Sequence, residues 1–350
     1  MADSEREALS PGLVLRTYRP GDEQAIQAMY ATVFGKQRSL EEWRWRFRDA
    51  PDGPALIHVL ERDGRLVGHI AHVGFVAFVE GRRLRLAHGG DTMVLPEARG
   101  RDGMPRLVRG FLESEHGFDL RMNFPTDRAA VAMERLGGGR RLGRIPRWVR
   151  WHTPHPALPQ PGRFLIACRA TRLYAAVASW PRPRIRVEPL AQLGPEVDEL
   201  AEASAAFAPC IRVRDASYLR WRWLDRAGGS WTIRAARSRG GGLRGLVVFG
   251  SQESEHGRRG LIAEILARDA AALRALLLDA AGTLISNACL SVACDYLDPR
   301  PWARRALYRS GFLPYGTGIN VVCGSLSERA GGVPDRLASW YLTRGDTDLA

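Results

Sequence analysis

Residues 86–104, Leu-Ala-His-Gly-Gly-Asp-Thr-Met-Val-Leu-Pro-Glu-Ala-Arg-Gly-Arg-Asp-Gly-Met, hold the densest set of residues in the chain with types and spacing suited to chemistry. An apolar run, Thr92-Met93-Val94-Leu95, meets Pro96 and an Arg/Gly loop, and from Pro105 to Leu112 the apolar positions take helical spacing. A strand, a glycine-bearing loop and a helix start point backbone N–H groups and the positive end of a helix dipole at one spot. Arg99 and Arg101 add cationic donors there. The natural occupant of such a loop is a phosphate or pyrophosphate, although any strand-to-helix turn of an α/β protein can carry Gly and Arg without a ligand.

The segment Val94-x-Pro96-x-x-Arg99-Gly100-Arg101-Asp102-Gly103-Met104 resembles the coenzyme A pyrophosphate loop of the GNAT superfamily of N-acetyltransferases. In that family a strand ending Val-x-Pro is followed by Arg-Gly-x-Gly and a helix. Counted from Arg99 against the usual Gln/Arg-x-x-Gly-x-Gly/Ala, the glycine positions hold Asp102 and Met104, and Gly103 falls into place when Asp102 is an insertion. A carboxylate there opposes a pyrophosphate by like-charge repulsion. The resemblance implies acetyl-CoA as co-substrate, with cofactor contacts at Met93, Val94, Arg99, Gly100, Arg101, Gly103, Met104 and Asn123.

Acetyl transfer from a thioester to an amine requires a deprotonated nucleophile, a donor to the oxyanion and a proton for the leaving thiolate. The oxyanion donor implied by the resemblance is a backbone N–H near Met93 or Val94. For the base, Asp91, acting directly or through water, is the first choice and His88 the second. The two have opposite strand parity, so only one faces the cofactor slot unless a bulge intervenes. His69 and His72 are weaker candidates. Where many relatives place a proton-donating tyrosine, this chain has Met133.

The elements that must position these residues are legible in order. Residues 13–18 read as a first strand, Pro20-Gly21-Asp22 as a turn with Asp22 as N-cap, and Ile26, Met29, Tyr30 and Val33 as one helix face. Ser39-Leu40-Glu41-Glu42 has capping-box spacing for a second helix, which carries Trp43, Trp45 and Phe47. Asp63-Gly64 and Glu80-Gly81 join strands into an antiparallel meander, which leads into residues 86–95 as a fourth strand. A fifth strand at 118–125 precedes a helix over 129–136, ended by Gly137. In GNAT folds the fourth and fifth strands splay to admit the pantetheine arm. Asn123-Phe124-Pro125 with Leu136-Gly137 resembles phrases of the enhanced-intracellular-survival branch of that superfamily.

The proline-rich stretch 151–161 reads as a linker, and a helix over 164–177 follows it. Beyond it the layout repeats: Trp45-Arg46-Phe47-Arg48-Asp49 is echoed by Trp221-Arg222-Trp223-Leu224-Asp225, each followed by two strand-like runs. The second half keeps the helix phrase Leu307-Tyr308-Arg309-Ser310-Gly311-Phe312 but replaces the glycine loop with Ala267-Arg268-Asp269. It offers no place for a pyrophosphate, and Tyr308 reads as structural. The final segment carries Trp340, Tyr341 and Leu342, so it is expected to dock on the body of the protein. In some tandem GNAT enzymes the C-terminal carboxylate acts as a base, which makes Asp346, Asp348 and the terminus further candidates.

The fold class is thus α/β (α+β): two tandem GNAT-like domains, each a mixed, mostly antiparallel sheet flanked by helices. The expected division is 1–152, a linker and helix over 153–184, and a degenerate 185–350. The net charge of +13 comes from arginines spread along the chain, Lys36 being the single lysine; this resembles high-GC codon usage and speaks against a nucleic-acid partner. No apolar run is long enough to cross a bilayer, so no membrane partner and a cytoplasmic location are expected. The five cysteines, Cys168, Cys210, Cys289, Cys294 and Cys323, lack metal spacing and read as reduced and structural. The expected activity is acyl-CoA-dependent N-acetylation of a small-molecule or amino-sugar amine by direct transfer, with Trp43, Trp45 and residues 139–151 as the acceptor region. The alternatives are a catalytically decayed GNAT-fold scaffold and a Fem-type aminoacyl transferase, which would have no need of the Arg99 loop.

Overall fold

The structure, a computed structural model, describes residues 12–99, 102–153, 161–226, 230–255 and 257–347. The first half runs β1 (Leu13–Thr17), α1 (Glu23–Phe34), α2 (Leu40–Phe47), β2 (Leu56–Arg62), β3 (Arg65–Val79), β4 (Arg82–Val94), α3 (Gly103–Glu113), β5 (Leu120–Asn123), α4 (Asp127–Arg135), β6 (Arg140–Ile145) and β7 (Arg147–Trp151). After α5 (Pro161–Ala178) come β8 (Arg186–Pro189), α6 (Pro195–Ala203), β9 (Cys210–Arg212) and α7 (Ala216–Leu219). The chain then forms β10 (Thr232–Arg237), β11 (Leu243–Gln252), β12 (Arg259–Ala267), α8 (Ala270–Ser286), β13 (Ser291–Leu297), α9 (Pro301–Tyr308), β14 (Leu313–Pro314), β15 (Ile319–Ser325) and β16 (Trp340–Thr343).

Each half has the same winding. Strands β1 to β4 form an antiparallel meander and β5 joins β4 in parallel; β8, β10, β11 and β12 repeat the meander and β13 joins β12 in parallel. The long β3 is buried along most of its length, as its run of Val, Ile, Ala and Phe requires. The halves then exchange strands. β15 inserts between β5 and β6, while β7 inserts between β13 and β14. Residues 140–151 are therefore hydrogen-bonded strands that tie the halves together, which corrects their reading as a variable acceptor loop. Trp43 is also removed from the acceptor region, because it is buried in the first-half core against Tyr18 and Phe47.

Local signals explain the helices, with one correction. Ser39 caps α2, its hydroxyl accepting from the Glu42 N–H at 3.0 Å. Asp22 stands at the N-cap of α1 without capping it, since its carboxylate is taken by the Arg16 guanidinium at 2.7 and 2.9 Å. Residues 154–160 of the expected linker lie outside the described residues. The thiols of Cys210, Cys289, Cys294 and Cys323 are free and buried; burial pushes that of Cys294 well up. Among the described residues, no helix is long and apolar enough to cross a membrane.

The second half is closed to a cofactor at both ends of its slot. Asp269 caps α8, accepting from the N–H groups of Ala271 at 2.9 Å and Ala272 at 3.0 Å, the donors a phosphate would need. The opening between β12 and β13 is filled by β16, which ladders onto Tyr296 and Leu297, and the Tyr341 hydroxyl donates to the Ile265 carbonyl at 2.6 Å. Tyr308 packs edge to face against Trp148, with ring centroids 5.4 Å apart. The chain end thus docks as its aromatic residues led us to expect.

Candidate active site

Strands β4 and β5 are paired only over Leu86–Leu120, Ala87–Arg121 and His88–Met122. Beyond this point β4 continues to Val94 while β5 stops at Asn123, so from Gly89 onward β4 runs without β5 as a ladder partner, an opening we call the fork. Along the fork the outer edge of β4 presents backbone groups that β5 does not take, the arrangement a pantetheine-like arm requires. Met93 and Val94 are core residues by side chain and contribute backbone alone. Asn123 stands at the fork vertex, with its amide oxygen against Gly89, where any Cβ would collide with it. It is buried, and among the described residues neither its Nδ2 nor its Oδ1 has a hydrogen-bond partner.

At the open end, α3 begins at Gly103 with Asp102 at its N-cap. A Cβ on Gly103 would strike the Ala98 carbonyl and lie 3.0 Å from Val94 Cγ1, so only glycine lets the helix start close against the end of β4. Gly103, the residue expected as the loop glycine, thus stands at the start of α3. The Asp102 side chain makes no capping bond. Met104 follows in the first turn, and Pro105 lacks an N–H to offer. Arg99 is exposed, and its Nε donates to the Val94 carbonyl at 3.1 Å. Gly100 and Arg101 lie outside the described residues.

A bulge resolves the parity of the two base candidates. The β3–β4 register shifts between His69 and Ala71, and Asp91 takes a left-handed φ of 47°. Such a conformation is strained for most residues but tolerated by Asp. The bulge turns Asp91 onto the face that carries His88. There its carboxylate meets Arg38 at 2.5 Å and Arg46 at 3.6 Å, while Arg46 also reaches the cavity beside His88. With two guanidiniums on it, Asp91 is better suited to holding these arginines in place than to taking a proton. His69 Nδ1 lies 2.8 Å from the Asp91 carbonyl, and burial pushes its imidazole below the ordinary range. His72 is on the opposite face, stacked 3.5 Å from Phe111.

His88 is 8% exposed and lies between the halves, against Phe75 at 6.0 Å and Phe124 at 5.4 Å. Two small cavities of about 10 and about 20 Å³ flank it, walled on one side by β3 and β4 and on the other by Arg212, Arg222 and residues 345–347. Arg222 Nη2 donates to the Thr347 carbonyl at 2.6 Å, and burial lowers its guanidinium to about 10. Asp346 lines this region but is committed elsewhere: Arg214 Nη2 donates to it at 2.6 Å, and it caps the turn at Thr343. Asp348 lies outside the described residues. The residues that sequence reasoning missed, Arg38, Arg46, Arg212 and Arg222, were concealed among dozens of other arginines. Only Arg46 and Arg222, inside the repeated Trp-Arg-aromatic phrase, carried any signal.

These features define a class. Residues 14–135 match the family model described as an acetyltransferase (GNAT) domain. Solved structures extend the likeness across the second half. A GCN5-related N-acetyltransferase from Anabaena variabilis is 12% identical, with a TM-score of 0.65 over 93% of this chain and 75% of that one. Eis1 from Mycobacterium abscessus is 14% identical, with a TM-score of 0.58 over 93% and 76%. A protein from Enterococcus faecalis, described as a probable N-acyltransferase, is 15% identical, with a TM-score of 0.58 over 80% of this chain and 64% of its own length. At these identities the likeness is one of fold. No curated protein matches the chain by sequence.

Proposed function

We propose that the chain is a tandem GNAT N-acetyltransferase that uses acetyl-CoA to acylate an amine by direct transfer, with a single working site in the first half. The observation that carries this reading is the fork itself: β4 is unpaired by β5 from Gly89 onward and leads to a helix that begins at a sterically required Gly103. The pyrophosphate would lie at the start of α3, near Arg99, Gly100, Arg101, Gly103 and Met104. The pantetheine would bond the β4 edge at Met93 and Val94 and the Asn123 amide. The backbone of the bulged strand would donate to the oxyanion.

On the acceptor face, His88 is the proposed general base, taking the proton of the attacking amine. Asp91 is proposed to keep Arg38 and Arg46 in place, so that the amine is received beside fixed cations and desolvated before attack. The plugged second half shapes the acceptor chamber through Arg212, Arg222 and the tail. Incubation with acetyl-CoA and a panel of amines, read as free thiol released and acetylated product by mass spectrometry, tests the reading. Product formation supports it; bound acetyl-CoA with no product from any amine would favour a scaffold role instead.

A further inference from the structure

We propose that the acceptor amine also bears a carboxylate, which is received by the side-on fork of Arg212. This rests on the reading above for the transfer itself, but the carboxylate site stands on its own geometry. Arg212 belongs to β9, which pairs with β3, and it is 4% exposed. Its guanidinium lies over Phe75 at 3.1 Å and near Tyr218 at 4.7 Å, and it lines both cavities beside His88. Nη1 is 3.7 Å from Asp346 Oδ1, too long for a hydrogen bond. Asp346 Oδ1 forms a loose ion pair with Arg212 while its Oδ2 is given to Arg214 at 2.6 Å, and Glu264 pairs with Arg214 at 2.7 Å, so Arg212 shares one carboxylate with a second guanidinium and has no hydrogen bond to it.

The donors left over are Nε and Nη2, both buried and, among the described residues, without a hydrogen-bond partner. They are the adjacent pair on one edge of the guanidinium, the pair that grips the two oxygens of a carboxylate in parallel. A desolvated cation with two unmet donors is costly to keep, and an anionic ligand offsets that cost. The adjoining cavities, about 10 and about 20 Å³, are each water-sized, so a carboxylate held by Arg212 displaces water and parts the cavity walls. Arg212 and the proposed base His88 pack on the same Phe75 ring and line the same two cavities, so the acceptor we propose is one small molecule of the amino-acid class that carries both carboxylate and amine.

The test compares a mixture of the common amino acids with a mixture of their carboxamides as acceptors, alongside calorimetric titration of each mixture into the protein. The free acids should be acetylated with kcat/KM about 10- to 100-fold above the amides, the range expected for hydrogen bonds to a charged group. Arg212→Met should erase that advantage by raising KM for the acids far more than for the amides, with the Kd for acetyl-CoA unchanged. Arg212→Lys, which keeps the charge but loses the fork, should fall between. Amides used as well as acids, or a variant that depresses both alike, would overturn the proposal. If acetyl-CoA fails to bind, the transferase reading fails, yet calorimetry still decides the carboxylate site. Heat from the acids alone, lost in Arg212→Met, upholds it, and no heat from the acids refutes it.

Discussion

Trp45 and Trp221 hydrogen-bond each other reciprocally: Trp45 Nε1 donates to the Trp221 carbonyl at 2.7 Å and Trp221 Nε1 to the Trp45 carbonyl at 2.8 Å, with the rings stacked at 5.2 Å. They are the equivalent residues of the repeated phrase. A self-complementary contact of this kind is what a two-fold interface between two halves of like winding produces. The reciprocal exchange of β7 and β15 obeys the same symmetry.

The pair predicts strong coupling. Trp45→Phe or Trp221→Phe should each cost about 1–3 kcal/mol, because each leaves a buried carbonyl without its donor. The double variant should cost less than the sum by about 1 kcal/mol in denaturant unfolding. Strict additivity would show that the two bonds form independently.

Gly103→Ala places a methyl group against the Ala98 carbonyl and Val94. Overpacking of this kind costs about 1–3 kcal/mol, and the helix start must shift. Acetyl-CoA binding should weaken more than the melting temperature alone would suggest, as seen by titration well below Tm. Unaltered binding would detach Gly103 from the cofactor loop.

Burial holds His58, His69 and His72 below the ordinary value of 6.5, His72 furthest. The unfolded chain therefore binds protons near pH 6.5 that the folded chain refuses, so stability falls as pH drops through that value and below. Tm should decline from pH 7.5 to 5.5 with net proton uptake on unfolding. His72→Phe, which keeps the stack on Phe111, should flatten the slope. A Tm that rises on acidification in this window would contradict the assignment of these imidazoles as neutral.

His88→Gln should lower kcat by about 10²-fold or more, with acetyl-CoA affinity unchanged. Asp91→Asn keeps a residue tolerant of positive φ but releases Arg38 and Arg46, and it should act mainly on KM for the amine. The reverse split would return Asp91 to the role of base.

Much of this architecture was legible because it lies in local patterns. The hairpins at Asp63-Gly64 and Glu80-Gly81, the Ser39 cap, the β4–loop–α3 unit and the Trp45/Trp221 echo each combine a turn residue or cap with a period. What escaped was non-local. Nothing in residues 140–151 reveals that their hydrogen-bond partners lie more than a hundred positions away, and Asp22 looks like a cap until Arg16 is placed beside it. The bulge that puts Asp91 on the His88 face depends on the register with β3, which no single strand encodes. The arginines around His88 could not be singled out by composition in a chain with so many.

The most direct test of the account is calorimetric titration of acetyl-CoA into the full chain and into Asp102→Gly. The native protein should bind one equivalent in the micromolar range, and removing the carboxylate at the start of α3 should tighten binding by about tenfold, roughly 1.4 kcal/mol. No binding by either protein would contradict the assignment of the β4–α3 fork as the acyl-CoA site.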